Sequence, residues 1–87
     1  MKRSLKFRIS RSAGKKINKV EPQLRKRLLE KLQEYENKPD LLAADLKRLA
    51  DTKDPVLYRI RMGNYRVVGS IEGDFFNVLD FIHRRDL

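Results

Sequence analysis

The side chains of this sequence best equipped for chemistry are Arg59, Arg61 and Arg66, followed near the C-terminus by His83, Arg84 and Arg85. Guanidinium groups present planar donor pairs that match phosphate oxygens, and histidine is the side-chain type whose ordinary pKa lies near neutrality. Gathered on one surface, they would bind a phosphate and leave an imidazole able to move a proton. Taken singly, each has a plainer reading: Arg59 and Arg61 as solvent-facing residues of an exposed sheet, His83 as a strand-end residue. The alternation around them argues for clustering. With a two-residue turn at Gly63-Asn64, Met62 faces Tyr65, Arg61 faces Arg66, Ile60 faces Val67 and Arg59 faces Val68. Tyr58, Ile60, Met62, Tyr65 and Val67 then share an apolar side, and the three arginines share the other. Like charges directly opposite one another cost roughly 0.2–1 kcal/mol, which a purely structural sheet would avoid. Continuing the alternation into the last strand puts Val78 and Ile82 on the apolar side. Asn77, Leu79 and Phe81 fall beside the arginines, with His83 and Arg85 after them. Whether Arg84 or Arg85 turns inward stays open, because the pattern does not fix where the strand ends.

These residues need elements to hold them. Residues 4–9 alternate as a half-buried strand. Ser10 or Ser12 can cap a helix with Ala13, Ile17 and Val20 at helical spacing, and Pro22 suits the first position of a second helix striped by Leu24, Leu28, Leu32 and Tyr35. The two form a hairpin, and Asn37-Lys38-Pro39-Asp40 stops the second helix. Residues 41–50 read as one helical turn and then a short strand around 46–49. Residues 56–62 and 65–71 form a β-hairpin, a further turn lies within Glu72-Gly73-Asp74, and 75–82 is the last strand. The expectation is one α+β domain over 1–87: a helix hairpin packed on a small, largely antiparallel sheet of four or five strands, in the order β-α-α-β-β-β with room for one more strand.

Composition narrows the class. In 87 residues there are 21 Lys or Arg, 12 Asp or Glu, one His and no Cys, so neither a disulfide framework nor a Cys/His zinc site can be built. No metal and no cofactor are expected. Nothing approaches the ~18 consecutive apolar residues of a membrane span, and the N-terminus lacks a secretory core. The acid-poor first twenty residues superficially suit a transit peptide, but Leu5, Phe7 and Ile9 alternate with Lys6 and Arg8 as a strand does, so a cytoplasmic protein is expected. The formal net charge of +9 lies wholly in residues 1–38, since 39–87 balance. Lys15, Lys16, Lys19, Arg25 and Lys26 on the two helices would attract nucleic acid or an acidic protein, or else form a solvated face.

The stretch LYRIRMGNYRVV at 57–68, followed by the terminal HRRD at 83–86, resembles the RelE/ParE toxin superfamily of type II toxin–antitoxin systems, and the upstream order of elements resembles it too. The YRIR…YRVV pattern is closer to the RelE branch. That resemblance implies a metal-independent endoribonuclease that inhibits translation by cutting messenger RNA on the ribosome. A ribose 2′-hydroxyl attacks the neighbouring phosphate, leaving a 2′,3′-cyclic phosphate. It implies Arg66, Arg84 and His83 as catalytic residues, although the alternation leans towards Arg85 over Arg84. Arg59 and Arg61 would lie on the messenger with Arg85 and Phe81 beside them, and the basic helices would dock on the ribosome. A RelB-like antitoxin, encoded adjacently, would be the protein partner. RelE-like toxins commonly continue past this point with a catalytic tyrosine. This sequence ends at Leu87, and Tyr35, Tyr58 and Tyr65 lie elsewhere, which leaves three readings open: His83 does the proton work alone, the native protein continues beyond Leu87, or it is a weakened relative. Two other readings stand beside this one: a ParE-like inhibitor of DNA gyrase, and a non-catalytic RNA- or ribosome-binding module.

Overall fold

A computed structural model describes residues 5–86. Ser4 of the expected first strand lies outside them. The chain runs β1 (Lys6–Ile9), α1 (Arg11–Asn18), α2 (Pro22–Asn37), α3 (Pro39–Asp45), β2 (Leu46–Arg48), β3 (Tyr58–Met62), β4 (Tyr65–Glu72) and β5 (Phe75–His83), and closes in a 3₁₀ turn over Arg84–Asp86. Ser10 is the cap of α1, its side-chain oxygen accepting the Ala13 N–H at 3.1 Å. Pro22 opens α2, where its missing N–H costs nothing. Pro39 both ends that helix and opens the next, so the segment that reads ambiguously in sequence resolves into α3 and then β2.

The five strands form one sheet in the order β1-β5-β4-β3-β2, with β1 parallel to β5 and the other pairs antiparallel. The helices cover one face. Ile17, Leu28, Leu32, Tyr35 and Leu42 pack there against Ile60, Val67, Phe76, Val78 and Phe81. Each fully buried large apolar side chain contributes about 1.5–3 kcal/mol. Phe7 adds tilted ring contacts to Phe76 and Tyr35. The Phe7 N–H, on the outer edge of β1, donates to a Glu36 carboxylate oxygen at 2.7 Å, which satisfies an edge donor from within the molecule. No helix among the described residues is long and apolar enough to cross a membrane.

The β3–β4 hairpin has the expected register, with Arg61 opposite Arg66 and Arg59 opposite Val68. Gly63 supplies the positive φ its turn needs. The β4–β5 pairing departs from simple alternation. Val68 pairs with Asp80 but Gly69 pairs with Val78, so Leu79 is an extra residue and the strand carries a β-bulge. Gly69 makes this possible, because a Cβ there would lie 2.0 Å from the Asn77 carbonyl oxygen.

Candidate phosphate-binding site

The bulge decides what faces the arginines. Phe81, Ile82 and His83, beyond the bulge, stand on the sides opposite to those that uninterrupted alternation assigns. Ile82 pairs with Arg66, while Phe81 pairs with Val67 and lies in the core, 5% exposed. The expectation that Phe81 stands beside the arginines as an RNA contact is therefore corrected: its ring is stacked on Tyr65, centroids 4.5 Å apart. His83 also moves to the other side of β5. It meets Tyr65 edge-on at 4.8 Å and lines a groove with Lys16, Lys19 and Val20. Its Nδ1 accepts the Arg85 N–H at 3.2 Å, which leaves Nε2 to carry the proton of the neutral ring.

On the uncovered face, Arg66 is the centre. It is only 8% exposed, and its Nη1 donates to the carbonyls of Gly63 at 3.1 Å and Tyr65 at 3.0 Å. Its Nε is buried with no hydrogen-bond partner. Burial, and then the neighbouring charges of Arg61, Arg59 and Arg84, hold the Arg66 pKa below the usual arginine range. Of the two terminal arginines, it is the charge of Arg84 that contributes to this shift. The 3₁₀ turn leaves both Arg84 and Arg85 exposed, and the Arg84 N–H ties that turn to the Asn64 carbonyl. Among the described residues none of the four arginines forms a salt bridge. The site is a cluster of like charges that no acid among the described residues neutralises through a salt bridge.

No protein-family model matches the sequence, and no curated protein does. Solved structures do match. A chain of the archaeal RelE–RelB complex from Pyrococcus horikoshii OT3 is 26% identical with a TM-score of 0.71, over 93% of this chain and 96% of that one. A chain of the RelB–RelE antitoxin–toxin complex from Methanococcus jannaschii is also 26% identical, at a TM-score of 0.69 over 90% and 91%. The chain belongs to the RelE toxin superfamily. The RelBE toxin–antitoxin complex of Mycobacterium tuberculosis, at 19% identity and a TM-score of 0.75 over 93% of this chain and 99% of that one, shares the RelE fold.

Two cationic residues of this chain escape a reading of its sequence. Lys47 and Arg48 on β2 line a groove of about 470 Å³ together with Arg59, Arg66, Val68 and Ile82. The signal was the short strand itself. Only its pairing with β3, which sets Lys47 opposite Arg59, brings it to the site. Of the basic residues of the helical region, Lys15 is exposed on α1, Lys19 just past its end and Lys26 on α2. Lys16 hydrogen-bonds Asp80, an interaction that depresses the Asp80 pKa against the opposing effect of burial. Arg25 bridges the helices through the Asn18 carbonyl at 3.2 Å. Among the described residues no three His, Asp or Glu side chains converge to hold a metal ion.

Proposed function

We propose that this protein is the toxin of a type II toxin–antitoxin pair, acting in the cytoplasm to cut messenger RNA on the ribosome, with a RelB-like antitoxin as its partner. The observation that carries this reading is the buried Arg66 guanidinium, with an unpartnered Nε and with Arg59, Arg61 and Arg84 around it. A pentacoordinate phosphoryl group concentrates negative charge on its oxygens, and fixed donors in a desolvated site stabilise such charge more than they stabilise the ground state. The 2′-oxygen forms a bond to phosphorus while the bond from phosphorus to the 5′-oxygen breaks. The 2′-hydroxyl gives up its proton and the departing 5′-oxygen gains one. Arg66 and Arg84 take the transition-state role, and Arg59 and Arg61 hold the flanking backbone. His83 is the proton-transfer candidate of the resemblance, but its side chain lies on the other side of β5 from the cluster, so its part in the reaction is what its substitution tests.

The test is cleavage of a defined message on programmed ribosomes, with 5′ ends mapped by primer extension. New ends should appear with the wild type. Arg66→Ala should slow cleavage about 10²- to 10³-fold, the usual cost of a lost oxyanion donor. His83→Gln should slow it less, since the imidazole stands outside the arginine cluster. RNA that stays intact with the wild-type protein would sink the nuclease reading.

A further inference from the structure

We propose that the uncovered face of the sheet continues past the Arg66 cluster to a nucleobase-stacking platform formed by Arg8, Phe75 and Asn77, so that a single-stranded RNA lies across the sheet. This inference rests on the nuclease reading and adds to it a second contact region. The Arg8 guanidinium carbon sits 4.0 Å from the centroid of the Phe75 ring, and Arg8 Nε donates to the Asn77 side-chain oxygen at 2.8 Å. One face of the cation is thereby fixed on an aromatic ring and one of its edges on an amide. The residue remains exposed, and among the described residues no acid pairs with it. A guanidinium plane held this way can stack a base, while the free Arg8 nitrogens and the Asn77 amide nitrogen can donate to the base edge or to a phosphate.

The occupant follows from charge and chemistry. β1 joins β5 in parallel, with Lys6 opposite Phe75 and Arg8 opposite Asn77. Phe7, Phe76 and Val78 point into the core, so Lys6, Arg8, Phe75 and Asn77 stand on the side that carries Arg66. Lys6, Arg8, Lys47, Arg59, Arg61 and Arg66 thus share one surface; the acids nearest it are Glu72, Asp74 in the adjoining turn, and Asp80, which is engaged by Lys16. An acidic protein would be served by the charges alone. The aromatic under the guanidinium adds a flat surface that suits a base. Along β5 the platform and the partner of Arg66 are about 16 Å apart at the usual rise per residue, a distance that a few nucleotides of single strand cover.

The experiment titrates wild type, Arg8→Lys, Phe75→Leu and Arg66→Ala with a short single-stranded RNA. It carries 2′-O-methyl riboses to block cleavage and 2-aminopurine at successive positions. A matched strand with an abasic site at the position that stacks is the control. Arg8→Lys keeps the charge and removes the plane. It should weaken the base-containing strand roughly 5- to 100-fold, abolish the 2-aminopurine quench at one position, and leave the abasic strand unaffected. Phe75→Leu should act in the same direction. Unchanged affinity and quench in Arg8→Lys overturn the platform. If Arg66→Ala alone weakens the RNA, the nuclease reading survives that failure; if neither does, it fails as well. Unchanged RNA binding accompanied by weaker binding of a purified antitoxin overturns the platform too, and gives the surface to a protein partner.

Discussion

A buried guanidinium with an unsatisfied Nε, ringed by other arginines, is an expense the free protein carries until an anion arrives. Arg66 is in that position: burial and the repulsion of Arg61, Arg59 and Arg84 all disfavour its charged form. Arginine's ordinary pKa is so high that the group stays protonated at neutral pH. Its field therefore acts against stability and would favour any anion bound there, a trade that recurs at functional sites. Arg66→Met keeps much of the side chain's bulk and removes the charge. It should leave the melting temperature equal or raise it, while cleavage on ribosomes falls as far as in Arg66→Ala. Calorimetry on the same preparations checks the first part, and a clear drop in melting temperature would show that the buried charge stabilises the fold. Lysine would not restore activity, because a point charge on a flexible stem cannot reproduce the two carbonyl bonds of Nη1 and a free Nε together.

At the scale of elements, the bulge between β4 and β5 assigns side chains to faces, and Gly69 permits it. A Cβ at Gly69 meets Asn77 backbone oxygen, which no rotamer change relieves. Gly69→Ala should cost about 1–3 kcal/mol in urea unfolding, and the Tyr65–Phe81 stack should loosen, visible in near-ultraviolet circular dichroism. This is also where reading the sequence fell short. The turn at Gly63-Asn64, the register of Arg61 with Arg66, the helix cap at Ser10 and the apolar stripe of α2 were legible, because each follows from local chemistry and period. The faces of Phe81, Ile82 and His83 were not, since a one-residue insertion reverses parity for everything beyond it. The sequence did hold a trace of it, for a lone glycine inside a strand marks a bulge or a close approach. Where Arg84 and Arg85 sit depends on the same shift and on the 3₁₀ turn. A second element-scale device joins α2 to α3: the buried Tyr35 hydroxyl donates to Asp45 at 2.6 Å. Burial first, and then this bond and the Asp45 charge, push the Tyr35 pKa well above its ordinary value. The unfolded chain therefore loses this proton first as pH rises. The stability the group contributes is complete below the ordinary tyrosine pKa of about 10 and fades above it. Tyr35→Phe should cost about 0.5–1.5 kcal/mol at neutral pH, with the difference from wild type shrinking in melts above pH 10.

For the whole molecule, net charge and site charge are separate quantities. All nine excess positive charges belong to residues 1–38, yet the Arg66 cluster lies in the half whose charges balance. Residues 10–38, which hold five of the nine excess charges, cover the opposite face of the sheet, so their exposed Lys15, Lys19 and Lys26 cannot line the arginine cluster. Their field still reaches an approaching polyanion over about a Debye length, close to 10 Å at 0.1 M salt. Long-range attraction of this kind raises the rate of encounter and leaves the chemistry at a bound phosphate alone. Lys15→Glu combined with Lys19→Glu removes four charge units without touching the Lys16–Asp80 pair or the buried residues of α1. The double variant should associate with ribosomes at least several-fold more slowly at low ionic strength, with the gap closing as salt is raised, because screening removes what the lysines supplied. Its single-turnover cleavage rate at saturating ribosomes should equal that of the wild type. Association measured by stopped-flow over a salt series, with cleavage quenched on the same complexes, separates the two quantities. A slower cleavage step at saturation would mean that α1 takes part in positioning the message, and the division of labour between the two halves of the chain would then be wrong.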